Sequence, residues 1–94
     1  MKLQLRYGGC GGCLSNCKYL LKKAGLQAGR HYYVVMHDEN RDDEIYKVHP
    51  EFLKKHTGGI LINPETQAFI NLYPGGEVLS YTPALNTAIQ KLME

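Results

Sequence analysis

The chain has 94 residues, 44% hydrophobic and 21% charged, the balance of an ordinary globular domain rather than of a disordered or fibrous polymer. A chain of this size buries roughly 60–65% of its unfolded surface, so a single domain over residues 1–94 with one core is expected. The formal charge of +2 comes from 11 basic and 9 acidic residues scattered along the chain, which leaves no basic stripe for a phosphate backbone and argues against nucleic acid as a partner.

The start, MKLQLRYGG, lacks the continuous apolar run of a signal peptide, and nothing later approaches the roughly 18 apolar residues of a membrane span. A cytoplasmic protein with no membrane partner is therefore expected. Residues 2–7 place Leu3 and Leu5 on one face and Gln4 and Arg6 on the other, the period-two signature of a first strand. In residues 11–24, Cys13, Cys17, Leu20, Leu21 and Ala24 recur at helical spacing, and Gly25 follows as a stop, so an amphipathic helix is predicted. The segment HYYVVMH reads as a second, buried strand.

Asp42, Asp43 and Glu44 suit the first turn of a further helix, with Lys54 and Lys55 at its other end and Pro50 kinking or dividing it, over about 42–56. Two turn signals, Asn63-Pro64-Glu65-Thr66 and Tyr73-Pro74-Gly75-Gly76, separate three apolar runs at 60–62, 67–73 and 77–81, which suggest an antiparallel meander. Thr82 and Pro83 form an N-cap and N1 pair opening a last helix, with Leu85, Ala88, Ile89 and Leu92 on one face. This order predicts an α/β sandwich: a mixed sheet of four to five strands with about three helices.

Three cysteines, Cys10, Cys13 and Cys17, fall within the stretch YGGCGGCLSNC. In a reducing compartment an odd number of close cysteines argues for a reactive dithiol or a metal site rather than a structural disulfide framework. Cys10 sits where the first strand hands over to the helix, beside unpaired backbone N–H groups and the positive end of the helix dipole, a position that favours a thiolate. Two intervening residues put Cys13 within reach of it, so a mixed disulfide on Cys10 can be resolved within the motif.

The motif C-G-G-C at a strand-to-helix junction, with this element order around it, resembles the thioredoxin and glutaredoxin superfamily. The resemblance covers nearly the whole chain and includes the turn Pro74-Gly75-Gly76 and the closing helix after Pro83. It implies a thioredoxin-like three-layer α/β/α sandwich, with Cys10 as exposed nucleophile and Cys13 as buried resolving thiol. It further implies a protein or small-molecule disulfide substrate, a separate electron donor, and neither a cofactor nor a resident metal. Gly11 and Gly12 stand where the family usually carries proline, leaving the dipeptide flexible. At the position of the family's cis-proline stands Thr57-Gly58-Gly59, with Gly59 and Pro64 as the candidate supporting residues and Pro64 the second choice. The Thr-Val-Pro-like segment that holds glutathione is not present.

Other chemistries compete with this one. Cys17, in line with Leu20, Leu21 and Ala24, reads first as a small core residue. It also completes a stripe with Cys10 and Cys13 that fits a metal or iron–sulfur carrier, given a fourth ligand from His31, His37, His49 or His56. A catalytically inactive thioredoxin-like interaction module is the third reading. The seven tyrosines are explained by strand packing rather than base stacking, and the acidic run at 38–44 lacks the ligand spacing of a calcium loop.

Overall fold

The computed structural model describes residues 2–8, 11–36 and 58–94. The helix expected over about 42–56 lies outside them, as do Gly9 and Cys10. Among the described residues the protein is a mixed α/β structure of four strands and two α-helices. These are β1 (Leu3–Gly8), α1 (Gly11–Lys23), β2 (Tyr32–Met36), β3 (Gly58–Ile62), β4 (Phe69–Asn71) and α2 (Pro83–Met93). The four strands form one sheet in the order β2-β1-β3-β4. β1 runs parallel to β2 and antiparallel to β3, and β4 is antiparallel to β3.

The register sorts the side chains by face. Leu3 pairs with Tyr32 and Leu5 with Leu61, so these four share the surface that receives the helices. They join Cys17, Leu20 and Leu21 of α1 and Leu85, Ile89 and Leu92 of α2 in one buried cluster, which puts both described helices on the same face of the sheet. Ile60 and Ile62, on the opposite face of β3, are buried as well.

Local chemistry sets the helix ends. α1 stops because Gly25 takes φ +84°, a left-handed conformation that glycine adopts without a Cβ penalty. The Gly25 N–H then donates to the Lys22 carbonyl at 3.0 Å and the Leu26 N–H to the Leu21 carbonyl at 2.9 Å, the paired bonds of a Schellman end, and Leu26 is buried in the core. α2 starts as the sequence predicts. Thr82 is extended, Pro83 follows it in the first helical turn, and the Thr82 hydroxyl accepts the Leu85 N–H at 3.1 Å.

The β3–β4 hairpin turns on Asn63. Its side-chain oxygen accepts the N–H groups of Glu65 and Thr66, while its amide donates to the Leu92 carbonyl at 2.8 Å. One buried residue thus shapes a turn and ties it to the end of α2. The expected third strand of the meander, 77–81, does not form. Residues Pro74–Gly76 make a single 3-10 turn, and the Leu79 N–H to Leu72 carbonyl bond at 2.8 Å is the only backbone bond that 77–81 makes among the described residues. No helix of the described residues is long and apolar enough to cross a membrane.

Candidate functional site

The C-terminal end of β1 pairs with the N-terminal end of β3, Tyr7 with Gly59 and Gly8 with Gly58. At that same end of the sheet α1 begins, at Gly11, one residue after Cys10 in the chain. Gly11, Gly12 and Cys13 are its first three residues, whose N–H groups have no carbonyl four positions earlier within the helix. No acidic side chain lies in that first turn, so nothing there offsets the positive end of the helix dipole. Gly12 is exposed, and a Cβ built on it would meet nothing within 4 Å. Its glycine is not required by the protein's own packing.

The two described cysteines differ sharply although one helical turn separates them. Cys13, in the first turn, is 5% exposed and disulfide-bonded. Cys17 is a free thiol, fully buried against β1 and β3. Desolvation pushes its pKa from 9.0 up to about 12, so it stays protonated at any ordinary pH. Burial also raises the Tyr32 hydroxyl, with a smaller contribution from the neighbouring Cys17. The structure thus gives Cys17 the core role rather than that of an exposed ligand.

Gly59 allows the close approach of α1. A Cβ on it would lie 2.5 Å from the Cys17 sulfur and 3.6 Å from Leu5 Cδ1. Pro64 does not belong to this end of the molecule. It follows the far end of β3, where Ile62 pairs with Gln4 near the start of β1, and no cis peptide bond occurs among the described residues. The reason is the Asn63 turn, which uses Pro64 at its second position.

Of the histidines expected as a fourth metal ligand, only His31 is among the described residues. His31 precedes β2, at the end of the sheet away from α1's start, and its Nδ1 accepts the Gln27 N–H at 2.9 Å as part of the turn into that strand. His37, His49 and His56 lie outside the described residues. Among the described residues no group of three or more His, Cys, Asp or Glu is placed to hold a metal ion.

One feature escaped sequence reasoning. The Asn16 side-chain amide, one turn beyond Cys13, donates to the Tyr73 hydroxyl at 2.8 Å and so bolts α1 to the turn that follows β4. Its only sequence signal is a polar stripe, Asn16, Tyr19 and Lys23, beside the apolar face of the helix. No protein-family model, no curated protein and no solved structure matches the chain.

Proposed function

We propose that the protein is a small thiol–disulfide oxidoreductase of thioredoxin-like fold, working through Cys10 and Cys13 in a reducing compartment such as the cytoplasm. The observation that carries the reading is the disulfide on Cys13 in the first turn of α1, while Cys17, on the same helix, remains a free and inert thiol. The strand order β2-β1-β3-β4 and the placement of both described helices on one face support the thioredoxin-like reading of the fold.

In the proposed cycle the Cys10 thiolate attacks one sulfur of the substrate disulfide. That S–S bond breaks, a mixed disulfide forms, and the other substrate sulfur leaves as a thiolate that takes up a proton. Cys13 then gives up its proton and attacks the Cys10 sulfur, forming the Cys10–Cys13 disulfide and releasing the second substrate thiol. The substrate has gained two electrons, and a separate dithiol donor returns the protein to its reduced form. The positive end of the α1 dipole stabilises the attacking thiolate.

Reduction of a small disulfide and of insulin, with dithiothreitol as donor, tests this. Cys10→Ser abolishes turnover, Cys13→Ser accumulates a mixed disulfide visible by mass spectrometry, and Cys17→Ala keeps turnover near the unaltered rate. Full activity in Cys10→Ser would refute the mechanism. About one zinc or iron per chain in anaerobically purified protein, lost with any single cysteine, would instead favour the carrier reading.

A further inference from the structure

A cleft of about 350 Å³ runs between α1 and the segment 77–81, which is neither helix nor strand. One wall carries Asn16, Tyr19 and Lys23, the other Val78, Ser80 and Tyr81. Its volume is at the small end of ligand sites, enough for one or two side chains rather than an enclosed cofactor. Among the described residues Lys23 is the one charged residue lining it, with its ammonium 4.7 Å from the centre of the Tyr19 ring, so the described walls present positive charge and no carboxylate to an entering group. Tyr19 and Tyr81 stand 63% and 40% exposed at its rim, a large aromatic area to leave in water.

The second wall has a further property. Glu77, with φ −124° and ψ 144°, and Thr82, with φ −137° and ψ 159°, are both extended, yet the Leu79 N–H is the one backbone group of 77–81 that is paired among the described residues. Such a segment offers its remaining N–H and C=O groups to an added strand, as in recognition by β-augmentation. From Asn16 to Lys23 the helix rises about 10 Å, the length of about three extended residues. The Asn16–Tyr73 bond marks the end nearer the cysteine motif, one helical turn from Cys13.

We propose that this cleft docks an extended, acidic segment of the protein substrate, which pairs its backbone with 78–81 and sets a carboxylate against Lys23. The inference rests on the oxidoreductase reading for its choice of partner, and it gives that site a means of selecting protein disulfides by the sequence that flanks them.

The test separates docking from chemistry. Fluorescence anisotropy with a labelled, cysteine-free hexapeptide of alternating glutamate and valine reads docking alone. It is expected to bind the unaltered protein, to lose about tenfold in affinity to Lys23→Glu, and to weaken with added salt. Ser80→Pro, which removes a backbone donor from the edge, is expected to weaken it as well. A lysine-valine peptide is expected not to bind. Both variants are checked for unchanged far-UV circular dichroism, and for an unchanged rate on a small aromatic disulfide that has no peptide to dock. Equal affinity of the acidic peptide for the unaltered protein and Lys23→Glu would overturn the proposal, as would no binding at millimolar concentration. A concentration-dependent dimer abolished by Ser80→Pro would overturn it too, assigning the cleft to a second copy. Failure of the oxidoreductase reading reads out separately, as no turnover of the small disulfide whatever the peptide does.

Discussion

Gly59→Ala sets two physical expectations against each other. Glycine within a strand is ordinarily a liability, and replacing it with alanine gains about 0.5–1 kcal/mol where there is room. Here there is none: the new Cβ would lie 2.5 Å from the Cys17 sulfur, against about 3.5–4.0 Å for a comfortable contact, an overlap of about 1 Å. The sulfur is one bond from Cβ on a fully buried residue, so it cannot swing into solvent, and α1 or β3 has to move. Overpacking of this kind costs about 1–3 kcal/mol, which for a domain this small lowers the melting temperature by on the order of 10 °C.

Cys17→Ala removes the clashing atom and, alone, costs about 1 kcal/mol for the lost contacts and the small void. The double variant is then expected to be more stable than the sum of the single changes by about 1–2 kcal/mol, a coupling that exists only if sulfur and strand touch. Urea unfolding of the oxidised protein, followed by circular dichroism and tyrosine fluorescence since the chain has no tryptophan, measures all four corners of the cycle. Additive costs, or a Gly59→Ala variant as stable as the parent, would refute the close approach of α1 to β3.

Three further predictions follow from the hydrogen bonds and titrations. Thr82→Val removes the hydroxyl that accepts the Leu85 N–H, and a loss of about 1 kcal/mol is expected in thermal unfolding, with Thr82→Ser restoring most of it. Asn63→Ala deletes one donated and two accepted bonds at a residue 1% exposed, so about 2–4 kcal/mol is expected to disappear from the urea curve. Because the folded state raises the Cys17 thiol from 9.0 to about 12 and also raises Tyr32, the unfolded chain releases protons that the folded one keeps. Stability is therefore expected to fall as pH rises from about 9 toward 12. The slope contributed by Cys17 is at most about 1.4 kcal/mol per pH unit. Unfolding midpoints across that range should show a shallower decline in Cys17→Ala.

What the sequence revealed was mostly what neighbouring residues decide among themselves. The alternation Leu3-Gln4-Leu5-Arg6, the stop at Gly25, the turn at Asn63 and the Thr82-Pro83 helix start are all local, and each stands in the structure where its chemistry predicts. Strand pairing is not local. The run Glu77-Val78-Leu79-Ser80-Tyr81 has the composition of a strand, but β4 is only three residues long and, among the described residues, only Leu79 bonds back, to Leu72. The need for glycine at 59 was equally hidden, because its cause is a sulfur at 17 on another element. Of the candidate site, Cys13 and Gly59 come to the same end of the sheet, Pro64 goes to the other, and the Asn16–Tyr73 bond had no signal strong enough to predict.

The contrast between Cys13 and Cys17 shows how a fold assigns different chemistry to like residues. A helix dipole acts within its first turn and fades beyond it, so a sulfur at the start of α1 feels its field while one four residues later receives little of that effect. Burial works against ionisation, and it is complete at Cys17. Which cysteine receives which environment is fixed by how α1 is held. Its C-terminal end is locked by Gly25 and Leu26, its middle is pressed on Gly59, and its first half is tied to Tyr73 through Asn16. Slackening the middle contact should therefore leave Cys13 oxidisable but expose Cys17. In a loosened variant such as Gly59→Ala, alkylation of Cys17 under native conditions should accelerate well before global unfolding. Unchanged protection of that thiol in a clearly destabilised variant would mean that α1 is held chiefly by its two ends.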